Sequence, residues 1–238
     1  MLPEIGQYLD PGHAAREGNV SRRDVGLPEG VFVFVCFSRA EKIDRALYHA
    51  WLTILRRTPG TVLWLLKDTK TKTSADTFVT SHFRSVAAAY GIDPGRLVFA
   101  DAMPWAAHVK RGALADLFLD TLAYNAHSTG CNSLWAGVPL LTFAGTKMAA
   151  RVAAGMNRAA RAQLYTARSV DDYINLAVRL ARRPSRADTL RRGVFASRSD
   201  MPLFQTQSMV RALERGFRMS AEVFSHTDSH MHLVAHDC

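Results

Sequence analysis

VFVFVCFSRAEKIDRALYHAWLTILRRTPGTVLWLL, residues 31–66, changes its hydrophobic period twice, and that change decides the fold. Residues 31–37 are an unbroken β-branched and aromatic run, the pattern of a strand covered on both faces. Over 42–57 the apolar residues Ile43, Leu47, Ala50, Trp51 and Ile54 fall instead at helical intervals, and TVLWLL at 61–66 returns to strand. Two buried strands separated by a helix make a parallel βαβ unit, since parallel strands need a long crossover between them.

The alternation continues in both directions. Ser74 is placed to cap a helix running to about Ala89, which Gly91 and Pro94 end. LVFA at 97–100, LFLD at 117–120 and PLLTF at 139–143 are further short strands, each preceded by a helical stretch, and AQLYTA at 162–167 offers a sixth. Beyond residue 147 helices dominate, near 147–156, 170–182, 185–196 and 205–224. The expected fold is α/β, a doubly wound, mostly parallel sheet followed by C-terminal helices. Residues 1–28, broken by Pro3, Pro11 and Gly18, read as a linker arm, 29–224 as one lobe, and 225–238 as a disordered His-rich tail.

With 238 residues, 48% of them hydrophobic, the chain can bury a large core. No apolar run approaches the roughly 20 residues that span a bilayer, and no secretory signal opens the chain, so a cytoplasmic or nuclear location is expected. Cys36, Cys131 and Cys238 show no CxxC spacing, which argues against a disulfide framework or zinc ribbon. The net charge of +9 favours anionic partners without choosing among them.

In an open parallel sheet ligands sit beyond the carboxyl ends of the strands. Three loops there carry suitable chemistry. The first strand is followed by Ser38, Arg39 and Lys42. The third leads into DAMPWAAHVKRG, which sets His108 and Arg111 three apart on one helix face. The fourth leads into AHSTG, where Ser128 and Thr129 open a helix that runs to about Trp135 and ends at Gly137. A helix start offers unpaired N–H groups and partial positive charge, so HSTG suits a phosphate; the same hydroxyls serve as ordinary caps, and spacing alone leaves both readings open. Neither GxGxxG nor GxxxxGK[ST] is present. In the tail, His226, His230, His232, His236 and Cys238 are spaced as loose zinc candidates, but no flanking pattern fixes a geometry, and a solvated tail is the preferred reading.

The stretches FSRAEKID, TVLWLLKD, HVKRGALADLFLDT, AHSTGCNSLWAGVPLLTF and KMAARVAAG, in that order and spacing, resemble the C-terminal catalytic lobe of the O-linked N-acetylglucosamine (O-GlcNAc) transferases, glycosyltransferase family 41. PLFQTQSMVRALERGF resembles the family's terminal helix, and the likeness runs from Gly26 to Phe224. The resemblance implies a Rossmann-like lobe of a GT-B enzyme that takes UDP-GlcNAc as donor and modifies Ser/Thr hydroxyls with inversion, without a metal or other cofactor. Carried over motif by motif, Lys42 neutralises the departing diphosphate, and Arg39 lies among the donor-binding residues. His108 stacks on uracil with Arg111 on the same helix face, and Met103 meets the uracil edge through its backbone. His127, Ser128 and Thr129 hold the diphosphate.

Four positions depart from the family pattern. Arg39 stands where glutamine is usual, Trp105 where lysine is, Ser128 where threonine is, and Asn132 where an aspartate contacts ribose. These departures leave the sugar open, and plant-type protein O-fucosyltransferases share this lobe. Family members also carry tetratricopeptide repeats and an N-terminal catalytic lobe, which the resemblance implies must come in cis or in trans. The alternatives are a non-catalytic UDP-binding scaffold, or a nucleic-acid face built from Arg182, Arg183, Arg191, Arg192, Arg211 and Arg215. No aromatics interleave those arginines, so solvated helix faces are preferred.

Overall fold

The computed structural model describes residues 20–67 and 74–226. Six strands, β1 (Val33–Cys36), β2 (Val62–Leu66), β3 (Leu97–Ala100), β4 (Leu117–Leu119), β5 (Leu140–Phe143) and β6 (Thr166–Ala167), form one sheet in the order β3-β2-β1-β4-β5-β6. Every neighbouring pair is parallel, with Phe34 of β1 in register with Leu63 on one side and Leu117 on the other. Burial on both faces explains the continuous apolar runs: all four residues of β1 and all three of β4 are buried.

Helices α1 (Arg45–Arg57), α2 (Ser74–Ala89), α3 (Trp105–Gly112), α4 (Ser128–Trp135), α5 (Val152–Ala159), α6 (Val170–Ala181), α7 (Pro184–Ser197) and α8 (Thr206–His226) provide the crossovers and the C-terminal layer. The core centres on Trp51, Trp64, Tyr173, Phe34 and Phe118. A buried chain of hydrogen bonds crosses it: Trp51 Nε1 donates to the Tyr173 hydroxyl at 3.0 Å, which donates to the Asp120 carbonyl at 3.1 Å. That chain ties α1 to α6 and to the end of β4.

Three boundaries differ from the sequence expectation. Helix α1 begins at Arg45 rather than 42, because the Asp44 carboxylate accepts from Leu47 N at 2.8 Å and so caps it there. Lys42 therefore ends a short 3-10 turn, Ala40–Lys42, and lies outside the helix. Helix α5 starts only at Val152, after a 3-10 turn over Met148–Ala150. Helix α8 continues to His226, so Ser225 belongs to it and not to the tail.

The sequence near the arm is also more tightly held than a linker. Arg22 donates to the carbonyl oxygens of Val31 (2.6 Å) and Leu114 (3.0 Å) and pairs with Asp116 at 3.0 Å. Asp116 in turn accepts from Val33 N at 2.8 Å and from Arg191 at 3.3 Å. The chain is docked on the lobe from Arg22 onward, not from residue 29. Arm residues 1–19 and tail residues 227–238, including His230, His232, His236 and Cys238, lie outside the described residues. Among the described residues no group of His, Cys, Asp and Glu is arranged to hold a metal ion, and no helix is long and apolar enough to cross a membrane.

Tyr173→Phe tests the buried chain. Leaving the Trp51 N–H without a partner is expected to lower the unfolding free energy by about 1–3 kcal/mol in chemical denaturation, with an unchanged far-ultraviolet spectrum. An unaltered midpoint and slope would show that the chain of bonds contributes nothing.

Candidate functional site

Strand order reverses between β1 and β4, so the crevice beyond their carboxyl ends is where this topology holds ligands. The loop leaving β4 shapes one wall of it. Asp120 is fully buried there, its Oδ1 accepting from Thr121 N (2.8 Å) and Ala126 N (2.6 Å) and its Oδ2 from Thr142 Oγ1 (2.7 Å). The carboxylate thus folds residues 121–126 back on themselves and fastens them to β5. Asn125 completes the loop, donating Nδ2 to the Thr121 carbonyl at 2.8 Å, donating its backbone N–H to Ala149 O at 2.8 Å and accepting from Ala153 N at 3.3 Å. The last bond caps the start of α5.

His127 ends this loop and begins α4, with the first helical bond running from Cys131 N to His127 O at 3.0 Å. The N–H groups of Ser128, Thr129 and Gly130 therefore have no acceptor within the helix and face the crevice end of it. Gly130 allows the close seating that this requires. A Cβ at that position would lie 3.2 Å from both Leu140 Cδ2 and Met156 Sδ.

Lys42 reaches this helix start from the β1 side. Its Nζ donates to Asn125 O at 3.0 Å and stands 3.8 Å above the Tyr124 ring. Burial holds the ammonium below its ordinary pKa, with the Asp120 charge opposing that shift. Burial, and then the nearby Lys42 charge, likewise lower the pKa of His127, whose ring tilts against Tyr124 and whose Nε2 is buried without a partner.

The second wall comes from α3. Arg111, only 2% exposed, donates Nη1 to the Asp101 carbonyl (2.6 Å) and Nη2 to His108 Nδ1 (2.9 Å), with its guanidinium over Phe37 and Trp64. An arginine donor at Nδ1 makes that nitrogen an acceptor and leaves the proton on Nε2. Burial, then the Arg111 charge, push His108 down to about 4, so the imidazole is neutral at pH 7. His108, Phe37, Phe118, Thr129 and Asn132 line a narrow cleft between α3 and α4. Asn132 is 8% exposed, and its Oδ1 has no partner.

A parallel Rossmann-like lobe, a fixed lysine at an open helix start and a neutral histidine beside a cleft form one arrangement. The Glycosyl transferase family 41 profile matches it over residues 15–213. The chain belongs to this family. It is 38% identical over 210 residues to a probable UDP-N-acetylglucosamine–peptide N-acetylglucosaminyltransferase of Arabidopsis thaliana, covering 88% of this chain and 20% of that protein. The Caenorhabditis elegans UDP-N-acetylglucosamine–peptide N-acetylglucosaminyltransferase is 32% identical over 194 residues, covering 82% and 16%. A mutant O-GlcNAc transferase of Thermobaculum terrenum superposes with a TM-score of 0.70 at 28% identity, over 80% of this chain and 36% of that one. The chain is therefore a GT-B lobe that spans about a fifth or less of the length of these curated relatives.

Within this family 41 lobe the expected site residues separate into three groups. Lys42, His127, Ser128 and Thr129 are brought together at the start of α4. His108 and Asn132 share the neighbouring cleft, with Thr129 between the two sets. Arg111, Arg39 and Met103 behave differently. Arg111 is buried, with Nη1 donating to Asp101 O, Nη2 to His108 Nδ1 and Nε left without a partner; the two bonds fix the histidine and the loop before α3. Arg39 is exposed and paired with Glu41 at 2.7 Å, and its charge is near enough to Lys42 to add to the lowering of that ammonium's pKa. Met103 sits on the exposed loop ahead of α3, where its backbone is accessible.

Sequence reasoning assigned no role to Asp120, Tyr124 or Asn125. A signal existed for the first: a carboxylate closing the apolar run LFLD must be buried, and a buried charge needs several donors close by in the chain.

Burial raises the Asp120 carboxyl from 3.8 to about 7, against the hydrogen bonds from Thr142, Ala126 and Thr121 and the charge of Lys42. The folded state therefore holds this proton more tightly than the unfolded chain. Its contribution is fully present below about pH 4 and is lost as pH rises to about 7. Relative to Asp120→Asn, the wild-type chain is expected to lose stability over that window, at up to about 1.4 kcal/mol per pH unit. Parallel stability–pH curves for the two proteins would contradict this.

Proposed function

We propose that this lobe binds UDP-GlcNAc and, when joined to a second lobe, transfers N-acetylglucosamine with inversion to serine and threonine hydroxyls of proteins. The observation that carries the reading is the Lys42 ammonium, held by Asn125 O beside the unpaired N–H groups that open α4. A departing UDP gains negative charge on its diphosphate. A fixed ammonium and fixed N–H dipoles stabilise that charge where it develops, with no reorganisation at the moment of bond cleavage. Lys42 is the catalytic residue in this scheme, and His127, Ser128 and Thr129 orient the diphosphate. These groups support a transfer that does not depend on a metal ion.

We assign the nucleoside to the rim of the narrow cleft next to them. Neutral His108 offers a flat ring for the uracil, the exposed loop at Met103 leads to its edge, and the unpaired Asn132 Oδ1, buried in this structure, is an acceptor for a ribose hydroxyl once the cleft widens. The acceptor hydroxyl and the group that removes its proton belong to the second lobe, in cis or in trans, together with any tetratricopeptide repeats. Helix α8 supports such a partner: Val210, Phe217 and Phe224 are 45%, 69% and 87% exposed, and Ala212 alone of its described residues is buried. The names of the Arabidopsis and nematode relatives support N-acetylglucosamine as the sugar and protein as the acceptor. We place the protein in the cytoplasm or nucleus, where such acceptors and UDP-GlcNAc coexist.

A second reading, a UDP-binding scaffold without turnover, is favoured by one feature. Asn132 supplies a neutral acceptor where the family pattern has a carboxylate, and neutral hydrogen bonds are about half as strong as charged ones.

Calorimetric titration tests the shared step. The chain is expected to bind UDP at one site, with Lys42→Ala weakening it about tenfold and Asn132→Asp tightening it several-fold. Absence of binding would reject both readings. Sugar transfer to a serine peptide is expected only when a second lobe is added; continued silence with that lobe present, and UDP still bound, would leave the scaffold.

A further inference from the structure

At the opposite end of the sheet from the crevice beside α4, the end of α5 and the turn before β6 meet α7 around a second cavity of about 270 Å³. Its position follows from the chain path, since Tyr165 in its wall directly precedes β6. The apolar part of the lining comes from Leu164, Leu190, Val194 and Met201.

Two features of this cavity work against stability. The first is backbone strain. Helix α5 ends in a Schellman motif, with Ala162 N bonded to Asn157 O at 2.6 Å and Arg161 N to Arg158 O at 3.1 Å. The residue that must turn left-handed there is Arg161, at φ 54, the one described non-glycine residue with positive φ. Glycine adopts this conformation without strain, so helix termination alone does not account for an arginine. The second is an orphan donor. Tyr165 is 6% exposed, and its hydroxyl has no hydrogen-bond partner. Burial pushes this phenol up to about 12, with the Arg186 charge opposing, so the hydroxyl keeps its proton and can only gain from an acceptor.

Strain that keeps a guanidinium, and a buried donor kept without an acceptor, are costs that a bound ligand would offset. We propose that this cavity is a binding site for a small carboxylate with an apolar body, its head between Arg161 and Tyr165 and its body against Leu190, Val194 and Met201. Asp200 also lines the cavity, so its charge opposes the carboxylate and the Arg161 guanidinium must outweigh it; a second negative charge would find no such partner. The hydroxyls of Thr189 and Ser197 are committed as donors to the carbonyl oxygens of Ser185 and Gly193, at 3.0 and 2.8 Å, and do not compete for the carboxylate's acceptors. The cavity volume, about 270 Å³, lies just under the roughly 300–1,000 Å³ of ordinary small-molecule sites and so suits a small ligand. None of this rests on the reading of the nucleotide crevice.

The test titrates the full chain with 3-phenylpropionate, using calorimetry and saturation-transfer NMR, with 3-phenylpropanol and UDP as comparisons. Saturable one-to-one binding is expected, about tenfold weaker for the alcohol and indifferent to UDP. Arg161→Gly is expected to raise the melting temperature by relieving the left-handed backbone while weakening the carboxylate about tenfold. Tyr165→Phe is expected to weaken it several-fold. No saturable binding, an alcohol that binds equally well, displacement by UDP, or variants that bind like the wild type would each overturn the proposal. The opposed changes in stability and affinity for Arg161→Gly separate a ligand role from a structural one.

Discussion

A charged carboxylate inside a sheet is costly, and Asp120 persists there because three donors converge on it. Those donors come from Thr121 in the loop after β4, from Ala126 on the approach to α4 and from Thr142 in β5, so the carboxylate ties the loop before α4 to the sheet. Further bonds depend on the shape it imposes. Asn125 presents its carbonyl to Lys42 on one side and its side-chain oxygen to the start of α5 on the other. The same negative charge favours the ammonium form of Lys42 against the burial that disfavours it. Loop geometry and site electrostatics therefore share one origin.

The two cations nearest the crevice divide their work according to their chemistry. Guanidinium is weakly hydrated and planar, so Arg111 can be buried between Phe37, Trp64 and the Asp101 carbonyl, where it fixes a histidine. Ammonium is compact and strongly hydrated. Lys42 stays half-buried at the rim, where it can exchange one carbonyl partner for a phosphate oxygen.

Strand positions were legible because burial on both faces writes itself as continuous apolar runs, and all six expected strands form. Helix starts were less legible. Asp44 captures α1 three residues late, and that shift is what takes Lys42 out of the helix and into the loop. Lys42, His127, Ser128 and Thr129 were readable as a set because the loops after β1 and β4 leave the same end of the sheet. The burial of Arg111 was not, since spacing places it on the face of His108 without showing that Phe37 and Trp64 close over that face. Asp120 was hidden for a related reason: its partners are two backbone amides and a threonine from the next strand, and backbone amides leave no mark in a sequence.

The excess of positive charge also has a structural explanation that composition could not supply. Arg96 donates to the carbonyl oxygens of Leu55, Thr58 and Thr61, at 2.7 to 2.9 Å, and so closes the end of α1. Arg22 holds Val31 and Leu114, Arg111 holds Asp101, Arg182 holds Arg57, and Arg191 holds Ala115. Each fixes a loop or an element end. Arg191 thereby turns toward the amino end of β4, and Arg192 pairs with Asp188 on its own helix, so with Arg182 three of the six arginines considered for a nucleic-acid face are occupied within the lobe. Net charge predicts partners only to the extent that the charges remain at the surface and unpaired. In this lobe many of them act as carbonyl clamps, and the proposed anion site draws on one lysine and one helix start.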